Sequence, residues 1–561
     1  MSVSIRFASA PAAPLVRNPQ NIYHVSFVTM QTMHRRIAVA TIIVTTSVLL
    51  SRVLGFFREW AVAHQIGPGT ATDAYYAAFT LPDFLNYLVA GGALSVTFIP
   101  VFAKYVAEKR EDEGWRVFST VITVMGLVLV GLVLLGELFA NKLAAAIAPG
   151  FGPAERSQVV FLTRLMLPAQ ICFYEGSILS AVQYAKGQFV VPSLAPLVYN
   201  MGIILGGMLL SSRIGITGFS VGVLGGALVG NLLLQIYGAT RAGARFSPSF
   251  GVKHPGFWLF LKLSVPIMLA VSLSFADDWI IRIFGSYLQA ASITWLSYGK
   301  ILMRVPLGLV GQAIGVASFP ILAQLYSEKK FGELNSVLNS TFKGMIFLLV
   351  PISAFTIVES QPLVRVAFAH TRMHGPSLTA TGIALALFSI GMFGWGSQYI
   401  LARGFYATRD TITPAVVGTV MTALNIPLYW YLVHRAQYRG LALASSIGII
   451  AYTIVLFVLL NRRTQNPESG ALLVFFGKVG LASAGAGVCC YGLERWLMHF
   501  IPWQRAYGSL AMLVIATAGG VLVLGLLMKL LRLSEFETYM KRVLSVALRK
   551  MGRVPGNAPG M

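Results

Sequence analysis

Runs of about twenty apolar residues, the length an α-helix needs to cross a hydrocarbon core, recur along nearly all of this 561-residue chain. They fall near 37–57, 75–103, 117–140, 157–182, 191–211, 217–238, 257–284, 291–325, 341–358, 378–402, 411–433, 440–461, 471–493 and 507–531. About fourteen spans result, joined by loops mostly under about 20 residues, so no extramembrane domain is large enough to hold a soluble active site. The expected fold is an all-α polytopic membrane protein. Composition agrees, with 11% charged residues where a soluble domain carries roughly a quarter. The net charge of +23 would suggest nucleic acid in a soluble chain. Here, with both termini taken as cytoplasmic, roughly 26 cations fall in inner segments and about 9 in outer ones, as the positive-inside rule demands. Residues 1–33 hold Pro11, Pro14, Pro19, Arg6 and Arg17 and no signal-peptide core. They read as a disordered extension, with Met33 an alternative start.

Internal similarity refines the architecture. Gly92-Ala-Leu-Ser-Val-Thr-Phe-Ile-Pro100 is echoed by Gln312-Ala-Ile-Gly-Val-Ala-Ser-Phe-Pro320, an offset of 220 residues, and Tyr184 with Pro192 is echoed by Tyr406 with Pro414, an offset of 222. Nearly equal offsets imply a duplication. Six spans per unit is an even number, so the units are parallel and related by an axis along the membrane normal. The expected division is an N-lobe over 34–245, a C-lobe over 246–465, two extra spans over 466–533 and a basic tail over 534–561. Two lobes around a central cavity suit a transporter that rocks to expose one site to each side in turn. A polytopic scaffold or a membrane-embedded enzyme is the alternative.

Ionised side chains inside spans cost about 2.5–3.5 kcal/mol each on an insertion scale, so those that persist usually face a wet cavity or a partner. Span 1 carries Arg52, Arg58 and Glu59, the last two also explicable as an interfacial anchor. Span 7 carries Asp277, Asp278 and Arg282; Asp278 and Arg282, four apart, can pair on one helix face. In span 8, Lys300 and Arg304 share a face with no acidic residue in the same turn, which asks for an anionic ligand, and Pro306 follows as a kink. Glu175 in span 4 is either a partner for a distant arginine or a protonatable group, while Arg164 and Lys186 read as interfacial. Arg403 to Asp410 reads as an inner loop with a helix cap.

Catalytic patterns are missing: no zinc helix, phosphate loop or nucleophile elbow occurs. Cys172, Cys489 and Cys490 lie in apolar stretches without disulfide or metal spacing, and the histidines sit in or beside predicted loops. Energy for transport would then come from an ion gradient or the membrane potential.

Ser51-Arg52-Val53-Leu54-Gly55-Phe56, Arg58-Glu59, Ala71-Thr72-Asp73-Ala74-Tyr75, Leu81-Pro82-Asp83, Gly92-Ala93-Leu94-Ser95 and Phe98-Ile99-Pro100 resemble the MurJ (MviN) lipid II flippases of the multidrug/oligosaccharidyl-lipid/polysaccharide exporter superfamily. The likeness runs from about residue 36 to 530, through Leu162 to Pro168 and Gly404 to Pro414. It implies a fourteen-helix inner-membrane protein that carries undecaprenyl-pyrophosphate-linked disaccharide pentapeptide to the outer leaflet by alternating access. Cavity cations would attract the pyrophosphate, and a groove made with the two extra helices would receive the lipid tail. Arg52 and Arg58 match the family's span 1 arginines, Asp73 its acidic residue after that span, and Lys300 a span 8 arginine. Asn86 stands near where better-studied members carry another arginine, and Lys300 replaces a bidentate fork with a point charge. Arg304, one turn away, can compensate.

The expected pyrophosphate site is therefore Arg52, Arg58, Lys300, Arg304 and Asn86, with Asp73, Glu59, Asp277, Asp278 and Glu175 as gating or coupling groups. No catalytic residue, metal or cofactor is expected; a coupling Na or H ion or the membrane potential would supply energy. Expected partners are a polyprenyl-pyrophosphate-linked sugar, membrane lipids and cell-wall synthesis proteins, not nucleic acid, with the chain a monomer. Three other readings stand beside this one. The cargo could be a lipid-linked exopolysaccharide or O-antigen unit. A cation-coupled drug exporter would lean on Asp277 or Glu175, and a polyprenyl-phosphate enzyme on the Asp277-Asp278 tandem.

Overall fold

The computed structural model describes residues 19–86, 93–273, 276–533 and 535–536, and among these every regular element is helical. Helix α1 (Pro19–Gln65) begins inside the expected disordered extension, with a proline in the first turn, where its missing N–H has no intrahelical acceptor to lose. Residues 1–18 and most of the basic tail lie outside the described residues. The N-terminal half continues with α2 (Thr70–Ala78), α3 (Thr80–Leu85), α4 (Ala93–Ala107), α5 (Glu111–Leu138), α6 (Ala140–Ile147), α7 (Pro153–Met166), α8 (Ala169–Ala185), α9 (Val190–Ile214), α10 (Thr217–Gly226) and, after a π-helical segment, α11 (Leu234–Arg241). The rest comprises α12 (Pro255–Leu273), α13 (Ala276–Gly285), α14 (Ser292–Ser327), α15 (Phe331–Val358), α16 (Ser360–Ala367), α17 (Gly375–Ile390), α18 (Met392–Ala407), α19 (Ile412–Thr464), α20 (Ser469–Leu497) and α21 (Ala506–Leu530).

The duplication is visible in these bounds. Helices α5 and α15 have 28 residues each and start 220 apart; α6 and α16 have eight each at the same offset. Each long helix follows a left-handed cap, Lys109 or Lys329, both at φ 58. In each cap the next N–H bonds back to the helix, Arg110 to the Tyr105 carbonyl at 2.9 Å and Lys330 to that of Leu325 at 3.0 Å. Further on, Gly187 corresponds to Arg409 and Gly215 to Gln437, each pair 222 apart and all four at positive φ.

Among the described residues, nine helices, or ten with the bent α17–α18 pair, are long and apolar enough to cross a membrane, against the fourteen spans expected from the whole sequence. Part of the difference is α19, whose 53 residues double back at Gln437 (φ 51, ψ −132). The two arms lie antiparallel, since Asn425 reaches the Ala444 carbonyl and Tyr452 that of Pro414. Span 2 is interrupted at Phe79, between α2 and α3, and α14 runs as one helix through Pro306 and Pro320 but carries Lys300 and Arg304.

Small residues set the closest packing, as is usual where lipid removes the hydrophobic drive between helices. A Cβ at Gly206 of α9 would stand 2.5 Å from the Gly222 Cα of α10, so only glycine fits there. Helix α12 packs chiefly on α4, and α13 chiefly on α19. Helices α20 and α21 pack on each other and on α15 and α16. An apolar groove of about 830 Å³ opens between α15, α18, the second arm of α19 and α20, walled by Ile346, Val350, Phe393, Ile454, Phe476 and Val488 among others.

Candidate substrate cavity

Helices α1, α2, α3, α8 and α9 from one lobe and α13 and α14 from the other enclose a cavity of about 340 Å³. It holds four cations and three carboxylates: Arg58, Arg282, Lys300 and Arg304 with Glu59, Asp83 and Asp278. Asn86 lines it as well. One-sided burial on each helix puts these charges inward, the arrangement that makes a charge in a span tolerable.

Each of the four cations meets a carboxylate. Arg58 donates to Glu59 from Nε at 2.9 Å and from Nη2 at 2.6 Å, and to Asn200 at 3.4 Å. Glu59, 3% exposed, also accepts from the Tyr76 hydroxyl, so it is buried inside the protein. Lys300, 4% exposed, donates to Asp277 and Asp278 of α13. Arg304 reaches Asp278 at 3.0 Å. Asp277 is held in turn by the Tyr429 and Ser445 hydroxyls of the two α19 arms. Lys300 also lies 5.4 Å from the Trp395 ring centroid, a favourable cation–π placement.

Two sequence expectations are corrected. Lys300 and Arg304 do not lack acidic partners, because the neighbouring helix supplies them. Asp278 does not pair with Arg282 along α13. Arg282 instead crosses to the other lobe, donating to Thr80 at 2.9 Å and to Asp83 at 3.3 Å. Arg282 and Asp83 were not among the expected site residues. Asp83 stands in the Leu-Pro-Asp motif, and a cation one turn past an acidic tandem was the only signal for Arg282.

Arg52 sits about two turns before Arg58, and its guanidinium occupies the space that a Cβ on Gly308 of α14 would fill. It is exposed between the lobes and meets no carboxylate among the described residues. Asp73, 3% exposed, accepts from the Thr294 N–H at 2.8 Å and from its hydroxyl at 2.5 Å, tying α2 to the first turn of α14. Glu175 lies away from the cavity, beside Gly126 of α5. At the loop end of the lobes, Asp410 accepts from the Thr413 N–H at 2.9 Å, which makes it the expected cap, and pairs with Arg463 at 2.7 Å. Arg164 is half-exposed beside Glu137, and Lys186 pairs with Glu111.

The lobes are latched past one end of the cavity. Arg372 N–H bonds to the Ala63 carbonyl at 3.0 Å, Trp60 Nε1 to that of Ala369 at 3.2 Å, and Gly150 N–H to the Ser286 hydroxyl at 3.0 Å; His64 meets the His370 carbonyl at 2.7 Å. A charged cavity between two duplicated helical lobes, with an apolar groove against α20, is the architecture of a multi-pass membrane transporter.

Comparison with known proteins gives the family. The family model described as "Lipid II flippase MurJ" matches residues 62–511, and the chain belongs to that family. A lipid II flippase MurJ from Burkholderia cenocepacia is 27% identical over 492 residues, 85% of this chain and 95% of the relative. Among solved structures, one titled "Lipid II flippase MurJ, inward closed conformation" superposes with a TM-score of 0.73 at 23% identity, over 87% of this chain and 99% of that one. An inward-facing multidrug resistance MATE family transporter of the MOP superfamily gives 0.62 at 15% identity, over 74% and 94%. At these identities the structures speak for the fold alone.

Proposed function

We propose that this chain moves lipid II from the inner to the outer leaflet of the bacterial cytoplasmic membrane by alternating access, with both termini in the cytoplasm. The observation that carries this reading is the inter-lobe cavity whose cations are held by short carboxylate contacts in a chain of the lipid II flippase family. A pyrophosphate offers two charged groups suited to guanidinium forks. Arg52, without a carboxylate, would engage it first. Arg58, Lys300 and Arg304 would then exchange Glu59, Asp277 and Asp278 for cargo oxygens, with Asn86 adding a hydrogen bond. When cargo leaves, the carboxylates reclaim the cations, so the empty protein never strands a buried charge. Asp73, at the α2–α14 joint, would serve closure. Glu175, which stands outside the cavity lining beside Gly126, would act as a coupling group and not as a cargo contact.

The lobes over 34–245 and 246–465 would rock about the cavity, while the groove beside α20 takes the polyprenyl tail. No covalent step is involved. A coupling ion or the membrane potential, worth about 2.3 kcal/mol per charge per 100 mV, would set direction.

The test is the fraction of lipid II open to an external probe in cells depleted of their own flippase and expressing this chain. Restored accessibility that disappears with Arg58→Ala supports the assignment. Well-inserted protein that restores nothing redirects the search to another polyprenyl-linked glycan.

A further inference from the structure

We infer that Glu359 and Glu494 form a proton-binding site on the seam between α20 and the corner where α15 gives way to α16, and that its proton leaves when the latched end of the lobes opens. The link to opening rests on the alternating-access reading above and supplies its coupling ion.

The two carboxyls are deeply buried and lack the partners that make burial tolerable. Glu359 is 1% exposed and Glu494 4%. The Cys490 thiol of α20 donates to Glu359 Oε1 at 3.1 Å, which aims the Glu359 carboxyl across the seam. Glu494 follows Cys490 by one turn on the same buried stripe of α20, near enough for its charge to oppose that of Glu359. Oε2 of each residue is closed off from solvent and meets no hydrogen-bond donor among the described residues. The cations on the packed elements are engaged elsewhere. Arg365 of α16 stands over the Trp503 ring at 4.5 Å, Arg495 of α20 donates to the Tyr491 hydroxyl at 2.9 Å, and Arg505, just before α21, donates to that of Tyr507 at 3.0 Å. His499 meets the Arg495 carbonyl at 3.0 Å. Lys343 and Lys478 are 16 residues from Glu359 and Glu494, about 24 Å along a helix, and Lys529 is in the last turn of α21.

Two carboxylates in one buried seam without a cation cannot both stay ionised, so the pair shares a proton. Glu494 also lies in the last turn of α20, where the helix dipole opposes negative charge. A protonated carboxyl supplies the missing donor. A metal ion does not fit, because among the described residues no three His, Cys, Asp or Glu are placed to hold one, and the closed oxygens leave it no way in.

The place of the pair in the chain ties it to the latch. The Glu359 carbonyl accepts from the Leu363 N–H at 2.9 Å, so this residue begins α16. Helix α16 runs directly into Ala369, His370 and Arg372, the C-lobe side of the latch, and packs on α21 of the added hairpin. Drawing α16 away from the hairpin would wet the pair. The carboxyl O–H bond then breaks, the proton passes to water, and two like charges oppose reclosure until one is protonated again. Proton binding and latching therefore favour each other, and the latched-to-open ratio should fall about tenfold per pH unit wherever one proton is exchanged.

The test uses the purified full-length chain in detergent without a lipid substrate, so a chain that flips no lipid II leaves its readouts standing. At neutral pH wild type should show the infrared carbonyl stretch of a protonated carboxyl that Glu359→Gln with Glu494→Gln removes. The unfolded chain has both carboxyls ionised there, so the folded state holds the extra proton. The wild-type thermal midpoint should therefore fall as pH rises, whereas the double variant, neutral and of the same shape, should hold its midpoint. For the latch, spin labels on Thr70→Cys and His374→Cys, exposed residues beside it, in a Cys489→Ser background should move apart as pH rises in wild type and stay together in the double variant. Identical spectra and pH profiles in the two proteins overturn the proton site. A proton site whose loss leaves the label distance unchanged overturns the link to opening. If the double variant fails to fold, Glu494→Gln alone decides: removing the like charge should move the loss of stability to higher pH, and an unmoved profile overturns the site.

Discussion

Lys300 is the residue on which most of the cavity's charge balance converges. Its ammonium joins Asp277 and Asp278, and through Asp278 it is coupled to Arg304. Removing one member of a buried pair leaves the other uncompensated, at about 3–5 kcal/mol. Lys300→Met should therefore lower the thermal unfolding midpoint in detergent markedly, and adding Asp278→Asn should recover part of the loss. A single variant as stable as wild type would refute the pairing as a stabilising unit. The cations themselves were legible in the sequence, because a charge within an apolar run is conspicuous. Their partners were not: Arg282 and Asp83 are 199 residues apart, and Lys300 and Asp278 belong to separate helices, so no spacing rule joins them.

At the scale of elements, the repeat tells two helix joints apart. Gly215 and Gln437 hold the same unusual backbone, φ 58 with ψ −141 and φ 51 with ψ −132. Glycine adopts it freely, whereas a side chain there is strained by about 1–3 kcal/mol. Gln437→Gly should raise the thermal midpoint, and Gly215→Gln should lower it; equal and opposite shifts are not required, but the signs are. A second element-level prediction concerns Asp73. It accepts from the Thr294 N–H in the first turn of α14, where an acidic acceptor is worth about 0.5–2 kcal/mol. Asp73→Ala should speed hydrogen exchange at the start of α14 more than at its other end, and uniform protection would argue against the joint. The duplication and the helical class could be read from offsets and apolar runs. Where a span is interrupted could not, because a break such as that at Phe79 in span 2 is not marked by composition.

For the molecule as a whole, the contacts between lobes decide which way the cavity opens. The hydrogen bonds from Arg372 to Ala63, from Trp60 to Ala369 and from Gly150 to Ser286 lie together past one end of the cavity. If the lobes rock about the charged site, these bonds must break in every transport cycle. Backbones joined as Ala63 and Arg372 are, at 3.0 Å between N and O, stand close enough for introduced side chains to be bridged. Cys172 and Cys490 are buried and Cys489 is exposed, so replacing Cys489 with serine removes the competing thiol. In that background Ala63→Cys with Arg372→Cys should cross-link on mild oxidation, hold the latched end shut and abolish flipping, and reduction should restore it. Each single cysteine should flip with or without oxidant. Cross-linked protein that still moves lipid II would mean that cargo passes without opening this end, and the rocking mechanism would have to give way to one in which the headgroup travels along the protein's lipid-facing surface.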